Sequence, residues 1–206
     1  MMLEITPIVI LAAIASGAII GVFLGTFGGG GSVLAAPLLL YVVGVRDPHI
    51  AIGTSAAAVA AIALFSLIGH WRGGTVKWPC AIVFALSGFI GSIAGSTIAK
   101  QIDGSQLLLA FSIAMAAIAL SMFRKPAFAG DPDVHLTPSI TMRIAPLGLV
   151  VGMAAGFFGI GGGFLIVPGL MLAAGMTMSN ATASSLVSVA LFGAATSANY
   201  AISGLV

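Results

Sequence analysis

Two runs of glycine interrupt long apolar stretches of this sequence, Gly28-Gly29-Gly30-Gly31 and Gly159-Ile160-Gly161-Gly162-Gly163. A proline follows each, six residues after Gly31 and Gly162, at Pro37 and Pro168. Each glycine costs a helix about 1 kcal/mol relative to alanine, so a run of them marks a break. A helix that restarts after a break presents unpaired backbone N–H groups and the positive end of its dipole. Two such ends facing each other would hold an anion without any cationic side chain. The competing reading is close packing of helix backbones with no ligand. A nucleotide-binding loop does not fit, because no strand precedes the glycines and no Lys-Ser/Thr pair follows them.

Hydroxyl groups recur near the breaks. Ser32 adjoins the first, and the pairs Thr54-Ser55 and Ser184-Ser185 lie near the starts of two later apolar segments. They suit donation to an oxyanion, or a bond back to a preceding carbonyl of their own helix. Asn180, Thr196, Asn199 and Ser203 add polar atoms to the last segment. His70 ends an apolar segment beside Trp71 and Arg72, which suits either a pH-sensitive gate or an interfacial anchor. His49 and His135 have no second ligand near them in sequence, so no metal site is expected. The single Cys80 excludes an internal disulfide and offers no metal cluster.

The elements that position these groups follow from composition. Of 206 residues, 60% are apolar and 6% charged, and mean hydropathy is +1.21. An ordinary soluble domain carries roughly 25% charge, so this chain could not cover a soluble surface. Disordered chains are polar, which excludes disorder as well. Charge-free stretches run over 5–45, 48–71, 78–99, 104–123 and 144–206. A membrane span needs about 20 mostly apolar residues, and each stretch reaches that length. The lipid bilayer is therefore the solvent, and the net charge of +2 reflects topology rather than nucleic-acid binding. With no ionisable residue expected within a helix, a carboxylate proton relay or a membrane enzyme is disfavoured. Neutral dipoles suited to a small polar anion remain, and no cofactor is called for.

The chain is written nearly twice. Gly17–Gly44 laid over Gly148–Gly175 gives eleven identities in 28 positions, seven of them glycine. After a one-residue deletion, Thr54-Ser55 falls on Ser184-Ser185, and Val76 falls on Val206. The expected fold is all-α, a polytopic transmembrane bundle of two internal repeats with Gly-broken helices, the second repeat incomplete. Residues 1–123 form the first repeat, 124–143 a linker and 144–206 the second. Helices are expected over 5–27, 31–44, 50–71, 78–100, 105–123, 144–160, 162–175 and 181–203. The start lacks a basic region, so 5–27 reads as a retained helix rather than a cleaved signal. The 14-residue segments 31–44 and 162–175 are each about 21 Å long, short of the roughly 30 Å hydrocarbon core. They cross obliquely, which makes the repeats inverted, or dip in and return, which makes them parallel. Loops 72–77 and 124–143 share a side in both cases and hold Arg72, Lys77, Arg124, Lys125 and Arg143, against Arg46 and Lys100 opposite. The excess of positive residues puts those two loops in the cytoplasm.

The doubled motif FGGGGSVLAAPLLL and FGIGGGFLIVPGLM, each followed by an Ala-x-x-Thr/Ser-Ser step, resembles the TauE/SafE sulfite exporter family, as does His70-x-x-x-Gly74-x-Val76. The resemblance implies an inner-membrane permease for sulfite, sulfonates or related organic anions. It places Gly28, Gly30, Gly31 and Pro37 on the first family motif, and Gly159, Gly161, Gly162, Gly163 and Pro168 on the second. The alternative is a non-transporting scaffold or inactive fragment, working only with a second copy or a complementing subunit.

Overall fold

A computed structural model describes residues 7–122, 130–131, 133–159 and 161–204. Arg124, Lys125, Ile160 and Val206 lie outside them. The described residues form eight α-helices: α1 (Pro7–Phe27), α2 (Ala35–Leu38), α3 (Pro48–Arg72), α4 (Trp78–Ala99), α5 (Gly104–Met122), α6 (Pro138–Phe158), α7 (Gly163–Ala174) and α8 (Met178–Ile202). Strand-like pairing among them is confined to one bridge between Asp131 and Met176. Five helices are long and apolar enough to cross a membrane: α1, α3, α4, α6 and α8. The all-helical membrane fold expected from composition is the one observed.

Local signals start the helices earlier than apolar runs alone suggest. Asp47 accepts from the His49 amide at 2.8 Å and Pro48 opens α3. Thr137 receives the Ile140 amide at 3.4 Å and Pro138 opens α6. Proline suits the first turn because the N–H it lacks would be unpaired there anyway. The linker expected over 124–143 therefore gives way to helix at Pro138, and Arg143 sits inside α6, on its exposed side. Arg72 likewise closes α3. The expectation of charge-free helices fails at these two positions, both toward one end of the bundle.

The segment expected as a helix over 31–44 is not one α-helix. Gly28–Leu34 is a 3-10 helix, α2 is a single turn, and Leu39–Val43 is a π-helix ended by left-handed Gly44. The chain reverses sharply before it: a side chain at Gly31 would run into the backbone of Phe23 and Leu24, a turn back in α1. Only glycine permits that approach. Segment 162–175, in contrast, is regular helix as α7.

Contacts at the two ends set the direction of each helix. At the upper end, His49 Nε2 meets the Ile102 carbonyl at 3.1 Å, and Lys100 meets Asn199. At the lower end, Lys77 pairs with Asp133 at 3.8 Å, and the Asp131 amide donates to the Gly175 carbonyl at 2.7 Å. α3 thus descends, α4 rises, α6 starts at the lower end, α7 finishes there, and α8 rises. The loop after α3 and the described residues before α6 share the lower end, the same side expected of loops 72–77 and 124–143. α7 leaves its break inside the bundle and reaches the lower end, so its stretch of chain traverses rather than returns.

Glycine does the packing. α4 and α6 run parallel with their backbones almost touching: a Cβ at Gly152 would overlap Gly88, at Gly156 the Ser92 backbone, and at Gly95 the Met153 carbonyl. Without a hydrophobic drive between helices in lipid, such approaches supply the dispersion energy that holds them together. α8 fills the centre, with Phe192, Leu186 and Val189 fully buried against α3, α4 and α7.

Candidate functional site

The second glycine break lies inside the bundle. Gly159, Gly161 and Gly162 all adopt left-handed backbone, with φ of 66°, 63° and 67°. Gly159 abuts Ile52 in the second turn of α3. A Cβ at Gly161 would stand 3.2 Å from both Val59, midway along α3, and Val189, midway along α8. α7 therefore begins near mid-bundle. Its N-cap, Gly162, has no side chain to cap the first turn; its carbonyl accepts from Leu165 and Ile166 at 2.8 and 2.9 Å. The α3, α6 and α8 starts, at the ends of the bundle, all carry a side-chain cap from Asp47, Thr137 or Thr177. The interior start of α7 has none, and neither has the α4 start at Lys77, at the lower end. Backbone N–H groups of an uncapped helix start, in a low-dielectric interior, are competent to hold an anion.

The first break is built differently. Gly28, Gly30, Gly31 and Ser32 lie in the 3-10 helix, which packs on α7 and α8, and Gly31 and Ser32 are buried. Helical backbone continues through Leu34 into α2, so no second bare N-terminus faces the first. The 3-10 segment that holds the first break packs on α7 and α8, and of the two breaks only the second opens a new helix, α7.

The remaining candidates separate. Pro37 lines an apolar crevice with Ile52, Leu107, Phe111 and Phe158, and Pro168 is exposed on α7. Thr54 is exposed too. Ser55 and Ser185 are buried and bond back to Ile52 and Thr182 carbonyls at 2.9 and 2.7 Å. Gly163 is buried as the first residue of α7. Ser184 Oγ, 0% exposed, accepts the Lys77 amide at 2.9 Å and so closes the start of α4. Ser184→Ala strands that N–H, at a cost of about 1–3 kcal/mol. The melting midpoint of the purified protein in detergent should fall by several degrees, and an unchanged midpoint would contradict this structural role. His70 is half-buried at the lower end, tied to Thr75 through its carbonyl at 3.1 Å. Trp71 and Trp78 meet edge to face beside it, at 5.9 Å between centroids.

A family model described as sulfite exporter TauE/SafE matches residues 13–206. The chain belongs to the TauE/SafE family. A probable membrane transporter protein of Xylella fastidiosa strain 9a5c is 50% identical over 198 residues, 96% of this chain and 76% of that protein. The probable membrane transporter protein YunE of Bacillus subtilis is 28% identical, covering 90% of this chain and 77% of its own length. One of Haemophilus influenzae is 27% identical over 95% of this chain and 75% of its own. No solved structure matches it. This TauE/SafE protein is an integral membrane protein of a transporter family, and its glycine-framed break lies within the matched residues. Sequence reasoning passed over Ser188 and the position of Phe192 on α8, which no motif marks; only the packing of α8 shows where they lie.

Proposed function

We propose that this TauE/SafE protein is a permease for small sulfur-containing anions, sulfite or sulfonates, in the bacterial cytoplasmic membrane, with loops 72–77 and 124–143 in the cytoplasm. One observation carries the reading: the bare N-terminus of α7, framed by three left-handed glycines, sits between the middles of α3 and α8. Glycine-interrupted helices at matching places in two halves are the best pointer to a transport site. The 3-10 segment Gly28–Leu34, from the other half of the chain, packs on α7, which supports a site to which both halves contribute. The family's description names sulfite, whose charge and size suit a nest of amides.

Purified chain in proteoliposomes is expected to take up labelled sulfite or a small alkanesulfonate saturably, competed by other sulfur oxyanions and not by a neutral sulfoxide. Uptake equal to protein-free vesicles would overturn the reading.

A second reading draws on α1. Gly17, Gly21 and Gly25 have nothing within 4 Å of an added Cβ, whereas the aligned Gly148, Gly152 and Gly156 are clamped against α4. That open stripe favours a chain that works only with a further helix, from a second copy or a complementing subunit. Under it, uptake appears only when such a helix is supplied.

A further inference from the structure

The seam between α4 and α8 holds polar groups that packing does not use. One stripe of α8 faces α4. Ser184 receives the Lys77 amide, and Phe192 lies over Gly88, where a Cβ would strike its ring. Phe192 also stacks on Phe84 at 6.5 Å and 27°. Asn199 donates to Ser96 Oγ at 2.6 Å and Thr97 Oγ1 at 3.0 Å. Ser188 is four residues from both Ser184 and Phe192, and Thr196 is four beyond Phe192, so both belong to that stripe.

Ser188 and Thr196 are 0% exposed, and neither hydroxyl has a hydrogen-bond partner. Ser55, Ser92, Ser96 and Ser185, equally buried in the same bundle, all return to a carbonyl of their own helix at 2.7–3.1 Å. A buried donor without an acceptor costs stability and calls for an explanation. Gly161 lies 3.5 Å, by its would-be Cβ, from the Val189 carbonyl, one residue from Ser188. The start of α7 thus lies against α8 one residue from the seam.

The upper end of the stripe meets a cation. Lys100 Nζ donates to the Asn199 carbonyl, Asn199 Oδ1 and Ser203 Oγ at 3.1, 2.9 and 2.8 Å, all neutral acceptors. Among the described residues it has no carboxylate within ion-pair distance. It also lines an open recess of about 540 Å³ with Arg46, His49 and Gln101, and with the carboxylates Asp47 and Asp103.

We infer that the α4–α8 seam is the path by which the anion reaches and leaves the α7 N-terminus. Lys100 marks its upper mouth, Thr196 and Ser188 donate to the solute in turn, and Phe192 seated on Phe84 closes the file between them. This rests on the permease reading above. An anion stripped of water needs a succession of donors, and an aromatic ring among them is the barrier it cannot cross while seated.

The test uses Ser188→Cys and Thr196→Cys, each in a Cys80→Ala background, in membranes exposed to a small anionic methanethiosulfonate. Both should be modified, and a small alkanesulfonate should slow the reaction. In proteoliposomes Ser188→Ala and Thr196→Val should each cut flux about tenfold, the loss of one hydrogen bond to a charged solute. Phe192→Ala should raise leak of the anion, while Ser112→Ala on exposed α5 leaves flux unchanged. If wild-type chain transports but both cysteines stay unmodified and the hydroxyl variants keep wild-type flux, the seam is overturned and the permease stands. If wild-type chain does not transport, the permease reading falls and takes the seam with it.

Discussion

Gly162→Leu should abolish anion flux while leaving the chain in the membrane. Gly162 sits at φ 67°, where a side chain is strained, and its Cβ would drive into the Ala155 side chain. Left-handed backbone costs a residue other than glycine about 1–3 kcal/mol, and overpacking adds a similar amount. The chain escapes both by moving the start of α7, which is the proposed binding element. A shift of about 1 Å in a positioning group can cost a hundredfold in rate, so flux should fall at least that far. Gly162→Ala makes the graded companion, with the strain but a smaller clash. Flux at the wild-type rate in Gly162→Leu, at equal amounts of membrane-inserted protein, would rule the break out as the site.

Gly152→Leu should remove the folded protein altogether. A Cβ there would overlap the backbone of Gly88, with the Gly88 carbonyl carbon 2.6 Å away, and neither backbone can step aside without opening the whole α4–α6 contact. Three such approaches lie in succession along α6, at Gly148, Gly152 and Gly156, so one wedge loosens all of them. The expected result is loss of the monodisperse peak in size-exclusion chromatography after detergent extraction. Gly21→Leu, on the open stripe of α1, should extract and elute like wild type, because nothing stands within 4 Å of the added carbon. Two glycines that align in the sequence would then differ completely in tolerance, which no count of glycines could foretell. A stable, monodisperse Gly152→Leu protein would contradict the tight parallel packing of α4 on α6.

The same pair shows how far the sequence could be read. Composition and the spacing of twelve charged residues were enough for a membrane bundle, because a bilayer dictates span length and polarity with little freedom. The glycine breaks were legible for the same reason. Helix starts were less so. Thr137-Pro138 is a strong N-terminal signal, but Arg143 downstream reads as the edge of a loop, and an arginine near a helix end reaches water without breaking the helix. The first break misled more seriously. Gly28–Gly31 and Gly159–Gly163 look alike in sequence, yet the first continues as a 3-10 helix while the second holds three left-handed residues and begins a new helix. Neighbouring packing, not glycine itself, decides which backbone a glycine adopts. The hydroxyl pairs were mixed for a related reason: Thr54 faces outward and Ser184 serves the start of α4, and only the rotation of each helix settles that.

The central claim is that the amides opening α7 take the place of water around an anion. The most direct measurement is amide NMR of the ¹⁵N-labelled protein, titrated with sulfite or a small alkanesulfonate. The account predicts saturable shifts of the Gly162, Gly163 and Phe164 amide resonances, with a neutral sulfoxide producing weaker shifts or none. If those resonances stay fixed at solute concentrations that saturate transport, the anion binds elsewhere and the account is wrong.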